Sequence, residues 1–283
     1  MIYYLFLLLI PLTGCVQSAA QKQYSLKDER PNVILFSAVT SLMVLVFFVL
    51  TSGFRLSFDA RLIPYALGFA VCYAAAWVGT VLAVQCGLMA ISTLIISCSI
   101  VFPTLYGVWL GEPVGGRMLL SLALLFASMV LVNLKFEDAG KFSARWLICV
   151  LVAFVGNGLC TVLQNMQKRV LGDAFSHEFM ILSLLFAFVL LLGYALCTTR
   201  SIGSSFRRCL PYATANGLAN AVGNLLVLLI IGNIPNTIFY PTNAALGMLA
   251  TFVLAYAVYR ERFSRPQYVG YALGVISIVL LNL

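Results

Sequence analysis

The sequence predicts an all-α, polytopic membrane protein of ten transmembrane helices, arranged as two inverted five-helix repeats. Two observations lead to this prediction. Hydrophobic residues make up 62% of the 283 residues and charged residues only 9%, whereas a soluble domain carries about 25% charged residues. In addition, the same short motifs occur once in each half of the chain. We therefore expect a chain that lies in a bilayer and contains an internal duplication.

Ten apolar runs are separated by charged residues or by proline and glycine. A helix needs about 20 apolar residues to cross a hydrocarbon core of roughly 30 Å, and the runs are close to this length. The connections between them are short, so no soluble domain is predicted. The runs cover residues 2–20, 32–53, 64–85, 88–110, 117–134, 146–167, 178–198, 211–232, 236–259 and 267–283.

The duplication is clearest at the ends of the two halves. Val130–Leu134 recurs as Val279–Leu283, 149 positions later, and Pro64–Ala66 recurs as Pro211–Ala213 at an offset of 147. Each half then contains five spans. Because five is odd, the second half must enter the membrane from the opposite side, which is the inverted plan found in many secondary transporters.

The repeat defines the domain organisation. The first five-helix repeat is predicted over residues 1–134 and the second over residues 146–283. A polar linker, residues 135–145, joins them.

The first run could also be interpreted as a lipoprotein leader, because Leu12–Cys15 has the form of a lipoprotein cleavage box. Its repeat equivalent, Ile148–Val170, lies in the middle of the chain, where no leader can stand. The run also lacks the lysine or arginine that begins a secretory signal. We therefore interpret residues 2–20 as the first transmembrane helix.

Three asparagines mark the eighth span as a candidate substrate wall. Asn216, Asn220 and Asn224 are four residues apart, so they share one helical face. An unpaired amide in hydrocarbon costs about 1–3 kcal/mol, so this face must meet protein partners or water. Both interpretations stay open: hydrogen bonding between helices and lining of a wet cavity.

The equivalent positions of the third span carry aromatic rings instead. Phe69, Tyr73 and Trp77 lie 147 positions before the three asparagines. If the repeat places the two faces across one cavity, that cavity has a stacking wall and a hydrogen-bonding wall. Such a lining suits a flat or amphipathic, largely uncharged molecule. Simple packing remains the alternative and is favoured for Phe69.

Matched helix breaks indicate a further part of the candidate site. Pro11 and Gly14 are expected to interrupt the first span, and Gly156–Gly158 the sixth. Pro11 and Asn157 are equivalent at an offset of 146. Paired breaks of this kind point to a carrier's binding region, although a kink or close helix packing explains them equally well.

Other polar residues inside or at the ends of spans complete the candidate substrate site. Gln17 and Gln164 lie about one turn inward from two lysines that end the first span of each half. These lysines are expected to extend to the interface or to attract an anionic group. The additional candidates are Gln17, Gln164, Tyr240, Asn243, Lys22 and Lys168.

Several classes of function are disfavoured. All nine acidic residues lie in loops or at span ends, so no proton-coupling carboxylate is predicted at mid-membrane. The only histidine, His177, is predicted in a loop, which leaves no Ser/His/Asp set and no metal cluster. We expect no enzyme activity, no cofactor and no metal.

The predicted partners are the lipid bilayer and a small-molecule substrate. The net charge of +8 comes from residues in loops beside the spans, where headgroups and topology favour them, so no nucleic-acid partner is expected. Gly270 and Gly274 form a GxxxG motif, which permits close helix contact within a monomer or across a homodimer.

Several motifs at equivalent points of the two halves resemble a known family. Gly111-Glu112 ends the fourth span, Glu261–Ser264 ends the ninth, and Leu-Val-Asn-type sequences end spans five and ten. In these features, over essentially the full chain, the sequence resembles the drug/metabolite transporter superfamily, in its ten-helix EamA-like branch. The resemblance implies a carrier that works by alternating access, in a bacterial cytoplasmic membrane.

The orientation of the chain is left open by two conflicting indications. Twelve of the lysines and arginines lie in loops opposite the termini and five lie on the side of the termini. The positive-inside rule then places the termini outside, whereas the family resemblance implies cytoplasmic termini. Cys209, predicted in a loop, offers a site for a thiol reagent.

Two alternative functions stay open at this stage. A flippase for a lipid-linked intermediate would fit the aromatic face, and an apolar groove open to lipid would favour it. A receptor or scaffold that transports nothing would fit a continuous packed core in which the three asparagines all pair with neighbouring helices.

Overall fold

The computed structural model describes most of the chain and is all-helical. The described residues contain no β-structure beyond one bridge between Ile231 and Ile234. They are residues 2–27, 31–53, 56–57, 59–86, 92, 95–133, 143–172, 175–198, 202–258, 260 and 263–282. Most of the predicted linker, residues 135–142, therefore lies outside them, as does Glu261.

The described residues form ten α-helices in the order of the ten predicted spans. Seven of them, α1–α3 and α6–α9, are long and apolar enough to cross a membrane, so the protein is a polytopic, all-α membrane protein. The helices are α1 (Ile2–Lys27), α2 (Val33–Thr51), α3 (Leu62–Cys86), α4 (Ile95–Trp109, with a 3-10 turn at Cys98–Ile100), α5 (Gly116–Asn133), α6 (Ala144–Leu171), α7 (Ser176–Thr198), α8 (Ile202–Ile230), α9 (Asn236–Ala257) and α10 (Arg265–Asn282).

Helix ends follow the local sequence. The side chain of Asn32 accepts a hydrogen bond from the Leu35 amide at the start of α2, and Ser143 accepts one from Trp146 at the start of α6. These caps satisfy amides that have no partner within the helix. Gly172 follows α6 with a φ of 78°, a conformation that favours glycine.

The expected interruptions of two helices are wrong. α1 continues unbroken through Pro11 and Gly14, and α6 continues through Gly156–Gly158. Proline removes one amide donor and usually kinks a helix, but in a membrane neighbouring groups can satisfy the freed carbonyl. The glycines of α6 serve close packing instead.

Helix packing places the second half of the chain against the first. The most extensive pairs are α3 with α6, α5 with α10 and α1 with α8. α2 packs on both α7 and α8, α3 also packs on α7, and α9 touches α1 and α4. α4 in turn contacts α6. Most of the bundle is therefore held together by contacts between the halves.

The α3–α6 crossing is close because small residues meet there. A Cβ on Gly156 would lie 2.7 Å from the Cys72 carbonyl oxygen, and a Cβ on Gly79 would lie 2.9 Å from the Ala153 nitrogen. Close approach of small residues is a common way to pack helices in membranes, where van der Waals contact contributes much of the attraction.

The last helix uses its glycines within the chain. Gly270 packs on Leu131 and Val132 of α5, and a Cβ on Gly274 would lie 3.1 Å from the Ser128 hydroxyl. The GxxxG motif is therefore occupied by α5 of the same molecule.

The predicted loop position of Cys209 is wrong. Cys209 lies in the third turn of α8 and is fully buried against Tyr24, Leu35 and Phe36. The predicted apolar run of this span begins at Pro211, but the helix extends outward through Arg207 and Arg208. A thiol reagent would not reach Cys209, so it cannot report orientation.

Candidate functional site

The candidate site is a cavity of about 260 Å³ among α3, α4, α6 and α8. Tyr73 is the twelfth of 25 residues of α3 and Asn157 the fourteenth of 28 residues of α6, so the cavity lies near the middle of these helices. It combines four of the residues predicted from the sequence with three others. Its lining is Tyr73, Ala76, Trp77, Thr80, Ile96, Asn157 and Asn220.

One wall of the cavity is aromatic and fixed by ring packing. Phe69 and Tyr73 stack with centroids 5.9 Å apart and an interplanar angle of 15°, and Trp77 meets Tyr73 edge to face at 6.3 Å. Phe69 is buried and its ring contacts Phe179 at 5.6 Å. Phe69 therefore packs behind the wall, and Tyr73 and Trp77 face the cavity.

The opposite wall carries an ordered chain of amides. Asn220 donates from Nδ2 to Gln17 Oε1 on α1 at 3.0 Å. Asn224 donates from Nδ2 to Asn220 Oδ1 at 2.8 Å and also to the Asn220 carbonyl. The Asn220 side chain is held from both sides and lines the cavity, whereas Asn224 supports it from one turn further along α8.

Asn216, the remaining one of the three asparagines, is a packing residue. It is almost fully buried and donates to the Gln17 carbonyl oxygen at 3.1 Å. The Thr40 hydroxyl of α2 lies 3.5 Å from its Oδ1. One face of α8 thus serves both interpretations: Asn216 joins helices, and Asn220 reaches the cavity.

Asn157 brings a second amide to the cavity from α6. Its Nδ2 donates to the Ser99 hydroxyl at 2.7 Å, and its side chain is otherwise exposed to the cavity. Gly158, its neighbour, packs against the Phe102 ring of α4.

The remaining predicted site residues do not line this cavity. Gln164 is buried against Met180, with Nε2 4.0 Å from its sulfur. Tyr240 is buried on α9 and its hydroxyl accepts a hydrogen bond from Asn165 at 2.5 Å. Asn243, half-buried, lies three residues beyond on α9.

The two lysines differ in their surroundings. Lys168 is 9% exposed and its ammonium donates to the carbonyl of Leu228 in the last turn of α8. A cation suits the negative end of a helix dipole, so Lys168 stabilises the end of α8 rather than extending to the interface. Lys22 is half-buried near the end of α1.

A second, polar cavity of about 330 Å³ lies at the end of the bundle that carries the termini. Glu112 forms part of it and accepts hydrogen bonds from the amides of Asn236 (2.9 Å) and Thr237 (2.8 Å). These are the first two amides of α9, which have no partner within the helix. Gly107 leaves room for the carboxylate, because a Cβ there would lie 2.5 Å from Glu112 Oε2. Glu112 therefore joins the first half of the chain to α9.

Replacing Glu112 with leucine should lower the free energy of unfolding by about 1–2 kcal/mol, as loss of a helix cap does. The measurement is the temperature at which purified protein in detergent stops eluting as a single species. Asp59→Asn is the matched control, since Asp59 pairs with Arg61 at the exposed surface, where ion pairs contribute little. Equal losses in the two variants would contradict the capping role.

Sequence reasoning missed three residues that line the mid-depth cavity, and it missed the capping of α9 by Glu112. Ala76 and Ile96 carry no polar group, and Thr80 lies one turn beyond Ala76, to whose carbonyl its hydroxyl donates at 2.7 Å. The signal for Thr80 was available, since it continues the face of Tyr73 and Trp77. Within the part of the chain that the structure describes, no group of three metal-ligating side chains comes together.

Comparison with known proteins shows the fold but no family. No protein-family model matches the chain, and neither does any curated protein. Solved structures do match, among them a crystal structure of a protein with a TM-score of 0.75 and 15% sequence identity. The likeness covers 99% of this chain and 98% of the other. At this identity it shows a shared arrangement of helices and nothing about activity.

Proposed function

We propose that the protein is a secondary membrane transporter that moves a small metabolite or amphipathic compound by alternating access. The observation that carries the proposal is the mid-depth cavity, near the middle of α3 and α6, whose lining combines Tyr73 and Trp77 with Asn157 and Asn220. A partly polar, partly aromatic cavity within a bundle of apolar helices is a suitable site for binding a small molecule. We propose a carrier rather than an enzyme.

The finer architecture, ten spans in two inverted halves, is also part of the proposal. Two hydrogen bonds support it: Ser128 donates to the Gly270 carbonyl at 2.5 Å, and Ser277 donates to the Ser121 carbonyl at 2.8 Å. Ser277 is 149 positions after Ser128, and Gly270 is 149 positions after Ser121. The two bonds are therefore equivalent under exchange of the halves.

Helix packing supports the same exchange. Replacing each helix by the one five places along the chain turns the α3–α6 pair into α8–α1, and the α2–α8 pair into α7–α3. The α1–α9 pair becomes α6–α4, and the α2–α7, α4–α9 and α5–α10 pairs are unchanged. A chain with an inverted repeat is expected to pack in this way.

The equivalence of the two serines leads to a matched prediction. Ser128→Ala and Ser277→Ala should each lower stability by a similar small amount, about 0.6 kcal/mol, the usual size of a hydrogen bond between membrane helices. Thermal stability in detergent measures both, with Thr198→Ala as control because, in the part of the chain that the structure describes, the Thr198 hydroxyl bonds only within its own helix. A loss of stability in only one of the two serine variants would contradict the equivalence of the two halves.

We extend the proposal to the EamA-like branch of the drug/metabolite transporter superfamily, in a bacterial cytoplasmic membrane. The family motif Gly111-Glu112 supports this, since its glutamate holds the first turn of α9. A monomer is favoured because the last-helix glycines already pack on α5.

A flippase is the second candidate, and one observation favours it. A groove of about 480 Å³ between α1, α9 and α10 is lined mainly by apolar side chains, among them Leu7, Leu8, Leu246 and Val279. Such a groove would suit an acyl chain. The scaffold alternative is supported less well, since Asn220 lines a cavity and, among the described residues, the Asn224 side chain bonds only within α8.

Counterflow in liposomes tests the proposal. Purified protein is reconstituted into vesicles preloaded with single members of a metabolite panel, and accumulation of the labelled compound is compared with that in protein-free vesicles. We expect accumulation of at least one compound. Movement of fluorescent lipid between leaflets, with no counterflow, would instead favour the flippase.

A further inference from the structure

The lining of the mid-depth cavity is electrically neutral. Among the described residues, its side chains are one phenol, one indole, two amides, one aliphatic hydroxyl and two apolar groups. An ionised ligand transferred from water into such a cavity would lose its hydration without gaining a counter-charge. The cavity therefore selects against charge.

Within the described residues, the side-chain amide of Asn220 retains one donor and one acceptor for a ligand. A primary amide has two N–H donors and two acceptor lone pairs. Asn220 uses one N–H on Gln17 Oε1 and one lone pair on Asn224 Nδ2. Because both of these bonds hold the side chain in place, the remaining N–H and lone pair are presented in a fixed orientation.

Asn157 extends the same chemistry. One of its N–H groups is used on Ser99, so one N–H and the carbonyl oxygen remain. The Thr80 hydroxyl donates to its own helix and retains acceptor capacity. The cavity thus offers donors and acceptors side by side, without a charge of either sign.

The aromatic wall provides a flat, preorganised surface. Tyr73 is stacked on Phe69 and Trp77 meets its edge, while Phe69 is fixed against Phe179. Rings held in this way lose little freedom when a ligand binds. Stacking on aromatic side chains favours planar ligands.

We propose that the substrate of this cavity is a neutral planar ring with an amide-type edge, in which a ring N–H stands beside a ring carbonyl. Oxopyrimidines have such an edge. Asn220 pairs with it in both directions, as asparagine pairs with a base edge in nucleic-acid recognition, and the ring lies against Tyr73 and Trp77. This inference rests on the proposed transport function and names its substrate class.

The test is equilibrium binding of radiolabelled uracil to the purified protein, with three matched competitors. 1,3-Dimethyluracil keeps the ring and lacks both N–H groups, dihydrouracil keeps the edge and lacks the aromatic ring, and orotate adds a carboxylate. We expect uracil to bind and each competitor to be roughly tenfold weaker or more. Asn220→Leu and Tyr73→Leu should each abolish binding, and Asn233→Leu, outside the cavity, should not.

The proposal would be overturned if uracil did not bind. It would also be overturned if 1,3-dimethyluracil or orotate competed as well as unlabelled uracil. Counterflow run in parallel separates it from the transport proposal. If uracil does not bind but another compound is transported, and this transport depends on Asn220, the proposed substrate class is overturned and the transport proposal stands. If uracil binds but no panel member shows counterflow, the proposed ligand class is supported and the transport proposal is overturned.

Discussion

Replacing Asn220 with leucine is expected to reduce counterflow at least about a hundredfold. Leucine has the same number and branching of side-chain heavy atoms as asparagine but offers no hydrogen bond, so a polar substrate would leave its own donors and acceptors unpaired in the cavity. Each unpaired group costs about 1–3 kcal/mol, and two such groups account for the expected loss. Initial rates in liposomes at matched protein density measure the effect.

The same substitution also lowers stability, and this effect must be separated from its effect on transport. Asn220 holds Gln17 and Asn224, so leucine leaves two amides with weaker pairing, at about 0.6 kcal/mol for each lost bond. Asn233→Leu is the matched control in the turn that follows α8, because among the described residues the Asn233 side-chain amide donates only to the Leu229 carbonyl. Counterflow unchanged in Asn220→Leu, or lost equally in Asn233→Leu, would remove Asn220 from the site.

Tyr73→Leu provides an independent variant of the opposite wall. It removes an aromatic ring without breaking the amide chain on α8, so a transport loss there cannot arise from Gln17 or Asn224. Loss in both variants, with normal elution and thermal stability, would locate transport at the cavity rather than in the overall packing.

Helical periodicity predicted much of the fold and part of the site. The order of the helices follows from the apolar runs, and spacing by four placed Asn216, Asn220 and Asn224 on one face. The repeat offset then identified Tyr73 and Trp77 as their counterparts. Both depend only on regular helix geometry, which the sequence determines locally.

The features that sequence reasoning missed depend on contacts between distant segments. Nothing in the sequence around Lys168 indicates that its ammonium meets the end of α8, and Glu112 caps a helix that begins 124 positions later. Asn216 and Asn220 are alike in type and spacing, yet only Asn220 lines the cavity. The difference arises because α2 covers Asn216, and that packing is a property of the assembled bundle.

The contact points between apolar helices are also difficult to predict from the sequence. The expected break at Gly156–Gly158 is a continuous stretch of α6, because glycine there serves close approach to Cys72 and Ala76. A small residue in a membrane helix can indicate a break, a kink or a contact, and the sequence pattern is the same for all three.

Gly156→Ala is therefore expected to be the most destabilising single-methyl substitution tested in this bundle. The added Cβ would lie 2.7 Å from the Cys72 carbonyl oxygen and 3.1 Å from the Ala76 nitrogen, both backbone atoms that cannot rotate away. We expect a loss of about 1–3 kcal/mol, measured as thermal stability in detergent, and a larger proportional loss of counterflow.

The control is Gly193→Ala, because a Cβ at Gly193 would meet nothing within 4 Å. At an open helical position alanine is favoured over glycine by up to about 1 kcal/mol, so this variant should be as stable as the wild type or more so. The two changes add the same methyl group to a helix, and only their neighbours differ.

The transport effect follows because α3 and α6 also present Trp77 and Asn157 to the cavity, so separating the helices moves its walls apart. Wild-type stability in Gly156→Ala would show that the crossing is looser than the geometry implies, and normal transport in a destabilised variant would show that the cavity does not depend on it.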